Sequence, residues 1–205
     1  MRGLEEVLPF WSEGHIVEEK PGISFTRADR AFVKASQAFN SVGTPLIVTG
    51  RKGSGRLPMA FCLAELWAVS NKKGKPRKRR ISVNVVSSVS RKDILEELAQ
   101  AAEKGGEDWA LVLQMTNSPD EWARAAKISQ RADPDLFILD DIDSHEQADA
   151  AIDLIKNGYK VILVTTGSAG TVKGDSMPDM ILRMLVGRFP ATSVPVLDTT
   201  RKSEA

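Results

Sequence analysis

A glycine-rich segment, GRKGSGRL at residues 50–57, has the spacing of a phosphate-binding loop placed between a strand and a helix. Gly50, Gly53 and Gly55 permit a compact turn whose successive N–H groups converge on an anion, and the positive end of the following helix dipole reinforces it. From the loop alone, a glycine turn that merely feeds a helix is an equal alternative. The predicted phosphate-binding residues are Gly50, Arg51, Lys52, Gly53, Ser54, Gly55, Arg56 and Leu57.

Two positions of this loop depart from the phosphate-loop pattern. Arg56 stands where that pattern has lysine, so the positive charge is kept but a compact ammonium is replaced by a wider planar group. Leu57 stands where a hydroxyl normally binds magnesium, and a hydrocarbon side chain cannot coordinate a hard cation. The sequence therefore predicts retained phosphate affinity with impaired hydrolysis, and it ranks the change at Leu57 as the more damaging.

Acidic and hydroxyl side chains follow two later apolar runs. LFILDD at 136–141 has the form of a Walker B strand that delivers Asp140 and Asp141 to the edge of a sheet where nucleotide binds. We predict that one of these acids holds Mg²⁺ through water while the other polarises an attacking water; acids that only form the turn into the next helix are the alternative. The run KVILVTT ends at Thr165 and Thr166, where Thr166 could sense a terminal phosphate; a purely structural role is the alternative for both threonines.

The elements that would position these residues alternate between apolar runs and amphipathic stretches. We predict strands at 45–50, 81–87, 109–116, 136–141 and 160–166, and helices at 56–70, 91–104, 119–132, from 144 onward and at 177–189. Capping boxes open two of the helices, at Ser118 and Ser144. Strands alternating with helices imply parallel pairing through crossovers, hence an α/β fold with helices on both faces of a mostly parallel sheet.

Composition and length limit the rest of the architecture. At 205 residues with a formal net charge of +1, the chain can form one main domain and has no global attraction to nucleic acid or membrane. We expect a lead-in with a capped helix at 1–43, the main domain at 44–197 and a flexible tail at 198–205. A single cysteine and the lack of any apolar run near 20 residues favour a cytoplasmic location, with any membrane role peripheral.

A basic stretch, NKKGKPRKRR at 71–80, is the only low-complexity segment. Its seven positive side chains, from Lys72 to Arg80, repel one another unless a polyanion neutralises them. We interpret it as a solvated surface loop, with nucleic acid or anionic lipid as the alternative partners.

These motifs together resemble the secretion ATPase family, the motors of type II and type IV secretion and of pilus extension and retraction. LIVTGRKGSGRL is similar to the family's LVTGPTGSGKST. The more specific match runs from Asp133-Pro134-Asp135 through the apolar strand and Asp141 to Glu146 and Gly158, and residues 179–190 resemble a further family segment. The resemblance implies a RecA-like P-loop NTPase core, ATP and magnesium as cofactors, and assembly with itself, with homologous subunits or with a secretion or pilus machine at the inner membrane.

The departures from the family pattern all weaken nucleotide hydrolysis. The family's Walker B glutamate falls on Asp141, and its histidine falls on Thr166. Asn84 and Ser87 stand where the family's acidic strand carries carboxylates. We therefore expect a nucleotide-binding subunit with weak or lost hydrolysis; an active ring-forming ATPase motor and a nucleic-acid-associated AAA-like accessory protein are the alternatives.

Overall fold

A parallel sheet of six strands organises the part of the chain that the structure, a computed structural model, describes: residues 37, 39, 45–72, 81–105, 109–167, 176–188, 194 and 196–199. The expected capped helix before residue 44 therefore lies almost wholly outside the described residues, as do most of the basic stretch and the end of the tail. Residues 37 and 39 are helical.

The elements follow one another as strand and helix along the chain. The strands are β1 (Leu46–Thr49), β2 (Ile81–Ser88), β3 (Trp109–Thr116), β4 (Leu136–Ile142), β5 (Lys160–Thr165) and β6 (Val196–Asp198). The helices are α1 (Arg56–Lys72), α2 (Lys92–Gly105), α3 (Pro119–Ser129), α4 (His145–Lys156) and α5 (Met177–Arg188). Short 3-10 turns at Val89–Arg91 and Gln130–Ala132 precede α2 and follow α3.

The strand order is β3-β2-β4-β5-β1-β6, and every pairing is parallel. Strand β5 separates β1, which precedes the glycine loop, from β4, which ends in the acids. Because all six strands run the same way, their carboxyl ends share one edge of the sheet. The glycine loop, the acids and the strand-end threonines therefore meet at that edge.

The two faces of the sheet are covered by different helices. Helices α1 and α2 pack on one face through a core that includes Phe61, Leu63 and Leu98. Helices α3, α4 and α5 pack on the other through Trp122, Ile152 and Leu185. Burial on both faces explains why the central strands are apolar runs rather than alternating sequences. The fold is thus α/β, with a parallel sheet and helices on both faces, as predicted.

Most element boundaries follow the predictions within one or two residues, and β3 has the predicted limits, but α3 ends at Ser129, where a 3-10 turn replaces its last three predicted residues. Helix α4 begins with a complete capping box between Ser144 and Gln147. At α3 the Ser118 hydroxyl accepts from the Glu121 N–H as predicted, but the Glu121 carboxylate accepts from Asn117 rather than from Ser118. Strand β6 was not predicted, because three residues carry too little pattern to distinguish a strand from a loop.

No described helix is long and apolar enough to cross a bilayer.

Candidate phosphate-binding site

The backbone of the glycine loop adopts conformations that other residues rarely take. Gly53 and Gly55 have φ values of +82° and +80°, in the left-handed region that glycine occupies without steric penalty. The Ser54 N–H closes a turn onto the Arg51 carbonyl at 3.1 Å. Helix α1 begins at Arg56, so its unpaired first N–H groups and the positive end of its dipole face the loop. This backbone can cradle an anion.

Hydrogen bonds from both neighbouring strands hold the loop in place. On the β5 side, Gly50 and Gly167 form an antiparallel bridge, and the Thr49 hydroxyl donates to the Gly167 carbonyl at 2.6 Å. On the β6 side, the Thr199 N–H donates to the Thr49 carbonyl at 2.8 Å, and the Ser54 and Thr199 hydroxyls lie 2.6 Å apart. The loop is therefore fixed at its start and at its middle, which reduces the ordering that a bound phosphate would otherwise impose.

Arg56 is the first residue of α1, directly after Gly55, and only 3% of its surface is exposed. Its Nη1 donates to the Thr166 hydroxyl at 2.6 Å, so two of the predicted site residues are in direct contact. Burial lowers the pKa of Arg56, and the nearby charge of Arg91 lowers it further, whereas Asp140 and Asp141 raise it. The Arg56 guanidinium is therefore close enough to the acids at the end of β4 to interact with them electrostatically.

Leu57 has its side chain in the hydrophobic core, with 1% of its surface exposed. It belongs to the core beneath α1 and not to the polar edge of the sheet. The sequence predicted the loss of a magnesium-binding hydroxyl at this position. The structure adds that the residue has become part of the packing, so restoring the hydroxyl would remove buried apolar contacts.

A bulge ends strand β4 and separates the two acids. Leu139 pairs with Leu163 and Ile142 with Thr165, so β4 has one more residue than β5 across this interval. Asp141 occupies the bulge with φ of +61°, a left-handed conformation that aspartate adopts more readily than most side chains. The extra residue places Asp140 and Asp141 in different surroundings.

Asp140 is fully buried near the end of β4. Its Oδ2 accepts a hydrogen bond from the Ser87 hydroxyl at 2.8 Å and lies 3.6 Å from Arg91 Nε. Its Oδ1 has no hydrogen-bond partner among the described residues. Burial raises the pKa of Asp140 above its ordinary value, and Arg91 and Ser87 oppose that rise. The Trp122 indole N–H donates to the Asp140 carbonyl oxygen at 2.9 Å and fixes the backbone there.

Asp141 is more accessible, with 32% of its side chain exposed. Its Oδ1 lies 3.5 Å from Arg91 Nη2, so a single guanidinium contacts both acids. Arg91 ends the 3-10 turn that follows β2, and 21% of its side chain is exposed. The result is a cluster of two carboxylates and two guanidiniums, those of Arg56 and Arg91.

The side chains present do not fit magnesium well. Mg²⁺ demands near-octahedral oxygen coordination and usually binds in such sites through a carboxylate, a hydroxyl and phosphate oxygens. The hydroxyl position is Leu57, and both acids already have Arg91 beside them. Asp140 Oδ1 is the one oxygen of the pair that is buried without a donor. The magnesium role of Asp140 and Asp141 stays a prediction that this donor set disfavours.

Sequence reasoning missed Arg91 and Thr199 and did not assign Ser87 its contact with Asp140. Each of the three lies at the carboxyl end of β2 or β6, where only the strand order brings it beside the site. Asn84, named with Ser87 as a departure from the family pattern, is not in the cluster; its amide donates weakly to the Ser129 carbonyl at 3.5 Å. Thr165 is buried and donates to the Ile142 carbonyl at 2.8 Å, in keeping with the structural alternative.

Comparisons with known proteins give similarity in structure alone: no known family and no curated protein matches the sequence. The Legionella pneumophila ATPase DotB has 17% identity and a TM-score of 0.45 over 76% of this chain and 37% of its own. The pilus retraction motor PilT with bound ADP has 12% identity and a TM-score of 0.44 over 75% of this chain and 42% of its own. The DnaC helicase loader has 14% identity and a TM-score of 0.42 over 92% of this chain and 98% of its own. This chain spans less than half of the length of the first two proteins.

Proposed function

We propose that this chain is a nucleotide-binding P-loop subunit whose hydrolysis is weak or absent. The observation that carries the proposal is the position of Arg56, buried at the start of α1 and bonded to Thr166 beside the acids of β4. A buried cation next to a glycine loop with left-handed backbone is an arrangement suited to phosphate. ATP is the cofactor that the resemblance implies for such a loop.

Weak or absent hydrolysis follows from the side chains around the terminal phosphate position. Catalysis of phosphoryl transfer depends on positioning and on neutralising charge at the transferred group, which magnesium normally supplies. Here the magnesium hydroxyl is replaced by a core leucine, and the family's histidine position is Thr166, which already accepts a bond from Arg56. Losing a single donor of this kind costs about a hundredfold or more in rate.

The resemblance to secretion and pilus ATPases supports a role in assembly rather than in chemistry. Its more specific match begins with Asp133-Pro134-Asp135 at the entrance to β4, where Asp135 exchanges hydrogen bonds of 2.9 Å with the Ser82 backbone in both directions. Those residues support the sheet and do not reach the phosphate loop. The proposed partners are copies of this chain or homologous ATPase subunits within a secretion or pilus machine, with the chain in the cytoplasm at the inner membrane surface.

Competition binding separates a phosphate site from a purely structural core. A fluorescent ATP analogue would be bound to the purified chain and displaced with ATP, ADP and adenosine. We expect ATP and ADP to displace it and adenosine to fail, because the loop recognises phosphate. Failure of all three to compete, or failure of the analogue to bind, would contradict the proposal.

Steady-state phosphate release with Mg²⁺ measures the hydrolysis part. We expect a rate indistinguishable from that of Asp141→Ala, with Asp143→Ala as the matched control because Asp143 lies just beyond the strand end. Brisk turnover that Asp141→Ala abolishes and Asp143→Ala preserves would support an active motor instead. Sedimentation velocity with and without ATP tests assembly, and a sedimentation coefficient independent of concentration and nucleotide would exclude self-association.

A further inference from the structure

Arg91 is the only side chain in the described residues seen to form ion pairs with both Asp140 and Asp141. It reaches them from the end of β2, the strand next to β4 in the sheet. Nothing in the loop or strand motifs marks it, because it lies in a 3-10 turn between two ordinary elements. The phosphate-loop pattern therefore assigns no role to a guanidinium at this position.

The charges at this edge balance without a metal ion. When both acids are ionised, Asp140 and Asp141 contribute two negative charges, and Arg56 and Arg91 contribute two positive charges that each interact with the acids. A divalent cation entering here would meet two fixed guanidiniums and a pair of carboxylates already compensated. Like charges at such separations repel strongly where water is excluded.

We infer that Arg91 takes the place of the divalent cation at this acid pair, so that phosphate bound at the loop faces guanidinium groups and needs no Mg²⁺. The inference rests on the proposed nucleotide binding for its second half only. The first half, that Arg91 excludes a metal from Asp140 and Asp141, concerns the protein alone.

The ion pairs of Arg91 are loose enough for a second interaction. Its contacts of 3.5 and 3.6 Å are longer than the approximately 2.7–2.9 Å of a charge-assisted hydrogen bond. A guanidinium has five N–H donors in a planar fork, so Arg91 can remain beside the acids and still donate to a phosphate oxygen. Its partial exposure leaves that side reachable.

Binding of Mn²⁺ without nucleotide, followed by electron paramagnetic resonance, tests the first half. Arg91→Gln should bind Mn²⁺ at least about tenfold more tightly than the wild type, because it frees two adjacent carboxylates from a cation. The gain should disappear in Arg91→Gln combined with Asp140→Asn. Lys92→Gln is the matched control, since Lys92 pairs with Glu96 on the exposed surface and should change nothing.

Wild-type protein that binds Mn²⁺ as tightly as Arg91→Gln would overturn the assignment. Arg91→Lys keeps the charge and should exclude Mn²⁺ as the wild type does, which provides a second variant if the glutamine substitution prevents folding. A tenfold gain in Arg91→Lys would also overturn it, because the positive charge would then not be the excluding feature.

Calorimetric ATP binding tests the second half in the same variants. The wild-type Kd should change by less than about threefold between EDTA and Mg²⁺, whereas Arg91→Gln should lose about tenfold in EDTA and recover in Mg²⁺. A wild-type protein that binds ATP only with Mg²⁺ would contradict the inference. Absence of ATP binding in every variant would refute the proposed function, while the Mn²⁺ result would still decide the role of Arg91.

Discussion

The glycine loop and the acidic end of β4 meet at one edge of the sheet but are built by different means. The loop acts through its backbone, since glycine φ values and the start of α1 set the direction of its N–H groups. The end of β4 acts through side chains, which depend on Ser87 and Arg91 from a neighbouring strand. The departures from the phosphate-loop pattern at Arg56 and Leu57 leave the glycine backbone of the loop unchanged. They do remove the side-chain hydroxyl that would bind magnesium beside the acids. An anion site can therefore persist after the metal chemistry beside it has been lost.

The largest expected effect concerns Leu57 and is on stability. Leu57→Thr should lower the free energy of unfolding by about 2–4 kcal/mol, because it removes buried methyl groups and places a hydroxyl in the core. Leu57→Met is the control and should cost less than about 1.5 kcal/mol. Urea unfolding measures both. If Leu57→Thr left the free energy of unfolding unchanged and increased Mg²⁺-dependent ATP binding, position 57 would belong to the phosphate site. That result would contradict its assignment to the core.

A smaller loss of stability is expected at the acidic end of β4. Ser87→Ala removes the hydroxyl that donates to the buried Asp140 carboxylate and should cost about 1–3 kcal/mol in urea unfolding. Ser90→Ala, at an exposed position three residues later, should be close to neutral. Equal effects of the two substitutions would show that the Ser87 hydrogen bond does not support the cluster.

The loop itself can be tested with a matched pair of glycines. Gly53 and Gly158 have φ of +82° and +88°, and a Cβ added at either would meet no atom within 4 Å. Alanine at each should therefore cost about 1–2 kcal/mol of backbone strain. We expect Gly53→Ala to weaken ATP binding by about tenfold, because strain at this position moves the loop N–H groups away from the phosphate, and Gly158→Ala, which lies outside the loop, to leave binding unchanged. Equal binding by the two variants would contradict a backbone cradle.

The smallest expected change is in pH dependence. Because burial raises the folded-state pKa of Asp140 above 3.8, its protonated form stabilises the folded protein, and that contribution is lost as pH rises through the folded-state pKa. The unfolding free energy of the wild type should therefore fall relative to Asp140→Asn as pH increases above about 4. Urea midpoints across this range measure it. A wild type that instead gains stability relative to Asp140→Asn would show that the ion pair with Arg91 outweighs burial.

The sequence predicted most of the architecture because burial on both faces of the sheet imposes long apolar runs, as in β4 and β5. It also placed the loop, the acids and Thr166 at the ends of strands, where the structure has them, whereas their binding of nucleotide stays a prediction. It could not predict that Leu57 faces the core, since helix α1 is apolar on several sides at its start. Arg91 escaped prediction for a different reason: it lies 49 positions before Asp140, and only the pairing of β2 with β4 brings the two together.

The pairing order also explains why Thr199 was missed. It follows the short strand β6, whose position next to β1 places the Thr199 hydroxyl against Ser54 of the loop. Alternating strands and helices predict a parallel sheet but leave the order of its strands open. Contacts made across the sheet edge therefore required the structure.

The most direct test of the central claim is calorimetric titration of ATP into the wild-type protein in EDTA, followed by the same titration in Mg²⁺. A retained anion cradle predicts saturable binding in EDTA, with a Kd that Mg²⁺ changes by less than about threefold, less than 1 kcal/mol in binding free energy. Binding that appears only with Mg²⁺, or no binding in either buffer, would contradict it.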